Sequence, residues 1–202
     1  MSKYNIMPVT QEISGILSKL NIVIPVQEDF YDAADHGELV RLLVLMLCNQ
    51  MGIEDEEREI CLAAAGIHDI GKLKIGDNLY GRKKSAFHIE EVKYMRMHAE
   101  IAKEMLEECN YPKKVIEAVY HHHENYDGSG YPDNLQGEGI PRSARILRIC
   151  DAFAALISDR PYRKAFDMDT ALSMMTDDIR FYDVSIFLDF MKIYNSDDFT
   201  KA

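Results

Sequence analysis

His121-His122-His123-Glu124-Asn125-Tyr126-Asp127-Gly128-Ser129-Gly130-Tyr131-Pro132 places three consecutive imidazoles ahead of a turn. Neutral imidazole is the commonest protein ligand for transition metals, and an ordinary helix surface has little use for three in a row. Asp127-Gly128 and Ser129-Gly130 let the backbone take positive φ, and Pro132 forbids helix continuation. The reading is a helix that ends in ligands and runs into a tight glycine loop. A second stretch, Gly66-Ile67-His68-Asp69-Ile70-Gly71-Lys72, closes an apolar helical segment with an adjacent imidazole and carboxylate. Such a pair can share or bridge divalent metals, with Lys72 in reach of an anionic ligand.

Together these stretches resemble the HD-GYP family of the HD superfamily. The match comprises HDIGK at His68 to Lys72, HHExxDGxGYP at His122 to Pro132, and DxFxALxSDRPYRKA from Asp151 to Ala165. It covers roughly Asp32 to Met191. The resemblance implies an all-α fold, a helical bundle with a metal site at its centre. It also implies a metal-dependent phosphodiesterase that uses a metal-activated hydroxide to open cyclic di-GMP to pGpG, and perhaps cuts on to GMP. His36 stands at the family's first histidine. Asp32 stands where the family often has a glutamate associated with a third metal; one methylene shorter, it weighs against a third ion. His98 aligns with the family's RxHPE segment, with Ala99 in place of proline. Asp151 matches the superfamily's final aspartate, whereas Ala154 replaces a second aspartate found in many members.

The ligand set is then His36, His68, Asp69, His98, His122, His123 and Asp151, with Asp32 as a further candidate. Five histidines and two carboxylates suit two divalent ions bridged by Asp69. Nitrogen and oxygen donors without thiolate suit iron or manganese, with zinc and nickel as alternatives. Asp69 and Lys72 are the catalytic candidates, Lys72 offsetting charge that develops on phosphorus. Arg160 and Arg163 could form forked hydrogen bonds to phosphate. Tyr131, in the Gly130-Tyr131-Pro132 loop, either shapes a nucleotide pocket or faces a partner, which the resemblance makes a GGDEF synthase domain.

Bulk properties agree. At 202 residues and 47% hydrophobic, the chain suits one domain with a sizeable core. A net charge of −11 argues against DNA binding, so an anionic nucleotide must be drawn by metals and a few local basic residues. Cys48, Cys61, Cys109 and Cys150 form no CxxC pair and read as reduced core thiols. The apolar run 42–48 is too short to span a bilayer, and no signal pattern opens the chain. A cytoplasmic protein with no membrane partner is expected.

Residues 1–29 read as a lead-in helix and connector. Ile13, Ile16, Leu17 and Leu20 form one face that packs on the domain or serves a homodimer; a separate sensor domain would need more residues. The HD-GYP domain is placed at 30–195 and a polar tail at 196–202. Helices are expected over 32–51, 54–70, 87–109, from Pro112 to the histidine triplet, and over 141–158, 169–179 and 183–194. A loop is expected over 73–85, with a basic Arg82-Lys83-Lys84 cluster; His88 reads as a surface residue. Adjacent helical residues diverge by about 100°, so His122 and His123 either address two ions or the helix end distorts. His121 is assigned behind the ligands or to the surface. Asp151 lies among apolar residues, where a carboxylate is costly unless paired or metal-bound. Two rival functions are a binding module without turnover and a phosphodiesterase for another cyclic dinucleotide, such as cyclic GMP-AMP.

Overall fold

Pro8 opens the first helix, α1 (Val9–Lys19), with its fixed φ. In the computed structural model, which describes residues 7–24, 27–79, 95–160 and 163–196, eight more α-helices follow. They are α2 (Gln27–Gln50), α3 (Asp55–Ile67), α4 (Ile70–Leu79), α5 (His98–Glu108), α6 (Lys113–Tyr120), α7 (Arg142–Ile157), α8 (Met168–Asp177) and α9 (Val184–Tyr194). Among the described residues the only β-type pairing is an isolated bridge between Arg160 and Arg163, so the all-α expectation holds. The Arg82-Lys83-Lys84 cluster, His88, the start of the helix expected from Phe87, and the tail beyond Ser196 lie outside the described residues.

Local chemistry explains most boundaries. α1 and α5 end on asparagines in the left-handed region, Asn21 at φ 53° and Asn110 at φ 58°. In each case the next amide turns back to a carbonyl of the last turn, Ile22 to Leu17 and Tyr111 to Leu106. Asp167 and Asp183 cap α8 and α9 by accepting from Thr170 N and Ser185 N. Two boundaries depart from expectation. α2 starts at Gln27 rather than residue 32, its first turn carrying Glu28 and Asp29 at the positive end of the helix dipole. The loop expected over 73–85 is helical as far as Leu79; Leu73 and Ile75 are buried, and their packing overrides the weak propensity of Gly71 and Gly76.

α2 is the central helix, with α1, α3, α7 and α9 packed on it, while α4 lies along α5 and α6 along α3. α2 and α3 cross where Gly37 meets Gly66. A Cβ on Gly37 would overlap Gly66 O, and one on Gly66 would overlap the Arg41 guanidinium. Close approach is therefore required at the two positions adjacent to His36 and near His68. Arg41 locks the same crossing to α1. Its guanidinium donates to Leu62 O at 3.2 Å, Met7 O at 2.8 Å and Glu12 Oε2 at 2.7 Å. The apolar face of α1, Val9, Ile13, Ile16 and Leu17, is buried within the chain and packs on the domain. All four cysteines are unbridged thiols. No helix among the described residues is long and apolar enough to cross a membrane.

Candidate metal centre

The ligands sit mostly at helix ends. α3 stops at Ile67 and α4 begins at Ile70, so His68 and Asp69 occupy the tight link between them. His98 is the first residue of α5. α6 stops at Tyr120, and His121 to His123 form a turn. His36 and Asp151 project from within α2 and α7. The helix end therefore distorts, one of the two outcomes open at the triplet: free of the helical 100° step, His122 and His123 join the same ligand group.

Three overlapping groups have donor atoms close enough for a cation. They are Asp69 with His98, His122 and His123; His36 with His68 and Asp69; and His68 with His122 and Asp151. Asp69 belongs to two of them. His98 Nε2 is 3.6 Å from Asp69 Oδ1, and His68 Nε2 is 3.5 Å from Asp69 Oδ2. His36 Nε2 lies 3.0 Å from Asp151 Oδ1, and His68 Nε2 lies 3.5 Å from the same oxygen.

The tautomers can be assigned from the second ring nitrogen. His68 Nδ1 donates to Ala65 O at 2.8 Å, His98 Nδ1 to Met95 O at 2.6 Å and His122 Nδ1 to Val119 O at 2.5 Å. A carbonyl only accepts, so Nδ1 holds the proton and Nε2 presents a lone pair inward, the arrangement that orients metal-binding histidines. The consequence is that His98 and His122 point lone pairs at each other across 3.4 Å. His68 Nε2 and Asp69 Oδ1 are buried without a hydrogen-bond partner. Such a concentration of inward lone pairs is unfavourable on its own and favourable around cations.

Protonation states agree with this fit. Burial, then His68 and His98, hold the His122 imidazole down at about 3. Burial likewise lowers His98, and holds His123 well below the usual histidine range. Burial pushes Asp69 up, but Lys72, His68 and His98 outweigh it and keep the carboxyl well below the usual range. Asp151 is held down against burial by its hydrogen bond with His36 and by the neighbouring His68. His68 is the exception: burial pulls it down, but Asp69 and Asp151 raise it overall. Neutral imidazoles around ionised carboxylates are what a divalent ion needs.

The remaining candidates divide. Lys72 Nζ donates to Asp69 Oδ2 at 2.5 Å and is half-buried at the edge of the cluster. Tyr131 stacks on His123, ring centres 4.8 Å apart. Asp32 is exposed on the first part of α2 and enters none of the ligand groups. The Arg163 guanidinium donates to Leu156 O, Lys164 O and Ala155 O, satisfying carbonyls at and beyond the end of α7. Arg160 is half-exposed beside it, backbone-paired with Arg163, and belongs to no ligand group. His121 turns away to Asp133 Oδ2 at 3.1 Å, as expected.

Three neighbours carry no assigned role in the sequence: Glu124, Arg96 and Arg148. Glu124 is buried, and its Oε1 accepts from Asp133 N at 2.7 Å, closing the glycine loop. Gly130 fits because it has no side chain; a Cβ there would overlap Asn125 N and Glu124 Cα. Arg96 lies with its Cζ 4.9 Å from the centre of the Tyr131 ring, and Arg148 donates twice to Asn125 Oδ1, at 3.2 and 3.1 Å. Arg148 had a signal: three residues before Asp151, it shares that helix face.

A family model described as HD domain matches residues 21–186. The cyclic di-GMP phosphodiesterase response regulator RpfG of Xanthomonas campestris is 40% identical over 132 residues, 64% of this chain and 35% of that protein. The 3′3′-cGAMP-specific phosphodiesterase 3 of Vibrio cholerae is 32% identical over 146 residues, 72% of this chain and 32% of that protein. The chain thus spans about a third of the length of these curated relatives. Among solved structures, a HDG"Y"P protein from Bdellovibrio bacteriovorus matches with a TM-score of 0.68 at 17% identity, over 93% of this chain and 61% of that one. The HD domain of the Listeria monocytogenes phosphodiesterase PgpH matches with a TM-score of 0.57 at 14% identity, over 93% of each chain. At these identities the structural matches speak for the fold alone.

Proposed function

The chain belongs to the HD domain family, and on that footing we propose that it is a metal-dependent phosphodiesterase that hydrolyses cyclic di-GMP to pGpG and/or GMP. The observation that carries this reading is the convergence of inward Nε2 lone pairs and two ionised carboxylates in a buried site. One ion would be held by Asp69, His98, His122 and His123, and a second by His36, His68 and Asp69 with Asp151 alongside. Iron or manganese suits this donor set best. Bound cations supply the positive charge that lets water attack phosphorus at neutral pH.

The chain's own groups do the rest. The backbone carbonyls of Ala65, Met95 and Val119 fix three imidazoles before any substrate arrives. Lys72 holds Asp69 through Oδ2 and places its ammonium beside the site, where it offsets negative charge developing on the phosphoryl oxygens. Tyr131 covers His123; this favours a role in the nucleotide pocket over contact with a GGDEF domain. The relative specific for 3′3′-cGAMP makes a mixed cyclic dinucleotide the second reading. The intact ligand set weighs against a module that binds without turnover.

The test is product chromatography on a panel of cyclic dinucleotides, using anaerobic protein loaded with iron or manganese and assayed for bound metal. Turnover of cyclic di-GMP, abolished by His68→Ala and Asp69→Ala, is expected. Fully loaded protein that leaves the whole panel intact would end the hydrolase assignment.

A further inference from the structure

Two arginines flank the Tyr131 loop without an acidic partner among the described residues. Arg41, Arg58, Arg142, Arg145 and Arg180 each face a carboxylate within ion-pair distance. Arg96, Arg148, Arg160 and Arg163 face none among the described residues; of these, Arg163 is turned to backbone carbonyls, and Arg96 and Arg148 lie beside the Tyr131 loop. Arg96 is exposed, and its guanidinium lies over the Tyr131 ring at 4.9 Å. Arg148 is half-buried and immobilised by Asn125 Oδ1 and by the Tyr182 ring, 5.4 Å from its Cζ; both partners are neutral. Tyr131 in turn stacks on His123 and lies edge-on to His98 at 6.5 Å, so Arg96 stands one aromatic ring away from two candidate metal ligands.

An exposed guanidinium beside the candidate metal centre, with no acidic partner among the described residues, is available to an anion. A ring underneath holds the planar group by cation–π contact and leaves its N–H edge free. That edge is suited to two oxygens of a phosphate, a geometry lysine does not offer.

We propose that Arg96 is a substrate-binding residue that takes the second phosphate of a cyclic dinucleotide, the one not being cleaved, while Tyr131 sets its position and Arg148 adds fixed positive charge behind the loop. This deepens the phosphodiester reading above and rests on it. It assigns Arg96 to recognition of substrates with two phosphates, and leaves a substrate with one phosphodiester to the metal centre alone.

The experiment compares wild type, Arg96→Ala and Arg96→Lys as metal-loaded proteins on cyclic di-GMP and on bis(p-nitrophenyl) phosphate, which has a single phosphodiester. Loss of a charge-assisted contact is expected to raise KM for cyclic di-GMP roughly tenfold or more in Arg96→Ala, with kcat little changed and partial rescue in Arg96→Lys. KM for bis(p-nitrophenyl) phosphate should not move. Equal KM values for cyclic di-GMP in wild type and Arg96→Ala, or a parallel loss on both substrates, overturn the proposal. If wild-type protein turns over no cyclic dinucleotide, the function reading fails separately. The same comparison is then made on the calorimetric Kd for cyclic di-GMP: a roughly tenfold weakening in Arg96→Ala supports the binding role, and equal or absent binding rejects it.

Discussion

Replacing Arg41 by methionine keeps the apolar stem and removes the group that ties α1 to the α2–α3 crossing. The loss can be worked from the contacts. Glu12 Oε2, Leu62 O and Met7 O each lose a donor at 2.7, 3.2 and 2.8 Å. Met7 is exposed and its carbonyl regains water, whereas the Glu12 side chain is only 13% exposed and stays enclosed. Breaking a buried ion pair by removing one partner costs about 3–5 kcal/mol, and the partly wet end puts this case near about 3 kcal/mol. Urea unfolding should show that loss as a lower midpoint at unchanged slope. Glu12→Gln in the Arg41→Met background should recover at least about 1 kcal/mol, since the stranded charge is gone. The pH dependence has a definite sign. Burial raises the Glu12 carboxyl even with Arg41 opposing it, and without Arg41 it rises further. A carboxyl with a raised folded pKa takes up its proton in the folded state first. Falling pH therefore favours folding between that pKa and the ordinary glutamate value. The penalty of Arg41→Met should shrink as the buffer is taken from neutral towards pH 5. A penalty under about 1 kcal/mol, or one that grows on acidification, would refute this account of how α1 is held.

Other expectations follow from the centre and its loop. His68 is the ligand whose folded pKa is raised. Its proton stabilises the metal-free protein fully below the unfolded histidine pKa, and that gain is lost as pH rises through the folded value. A metal must displace the same proton, so metal affinity measured by competition with a chelator should fall about tenfold per pH unit below that folded value; a flat profile across the histidine range would contradict the assignment. Gly130→Ala pushes the loop off Asn125 and Glu124 and should cost about 1–3 kcal/mol in thermal or urea unfolding, together with a higher KM as Tyr131 leaves His123; unchanged KM would detach the loop from the pocket. Arg163→Ala should lower stability by about 1–3 kcal/mol by stripping donors from the last carbonyls of α7, with KM for cyclic di-GMP unchanged; a raised KM with full stability would restore the phosphate role.

How much of this was legible from sequence depends on whether the deciding interaction is local. His68, Asp69 and the triplet were readable because each is adjacent to its own helix stop. The convergence of His122 and His123 was left open, because a turn after Tyr120 and a continued helix give the same residues opposite directions. Asp151 was legible as a carboxylate out of place on an apolar face. Arg163 is hard to place from sequence for a physical reason: a guanidinium that caps carbonyls of its own helix looks, in sequence, like one waiting for phosphate. Asp32 kept the family's position but is exposed on α2, outside the cluster. The helical start of the 73–85 segment was missed because glycine-rich sequence resists helix, and only burial of Leu73 and Ile75 reverses that. Arg96 stands at the arginine of the segment that matches RxHPE, Arg96-Met97-His98-Ala99-Glu100, but its place over the Tyr131 ring appears only in three dimensions.

The same geometry links metal affinity to the integrity of the bundle. The ligands come from α2, the α3–α4 link, the start of α5, the end of α6 and the middle of α7, so no two adjacent helices can hold a full set. His36 and His68 lie 3.0 and 3.5 Å from Asp151 Oδ1, and Asp69 Oδ1 and His68 Nε2 have no hydrogen-bond partner. The helices that carry these ligands are held by the glycine crossing of α2 and α3 and by the Arg41 clamp behind it. Weakening the clamp should therefore loosen His36 relative to His68 and lower metal affinity without touching a ligand. Arg41→Met should bind metal more weakly than wild type while Arg163→Ala, also destabilised but with no bond to the crossing, should not. Equal affinities in the two variants, measured by chelator competition under folded conditions, would show that the ligands hold their positions without help from α1.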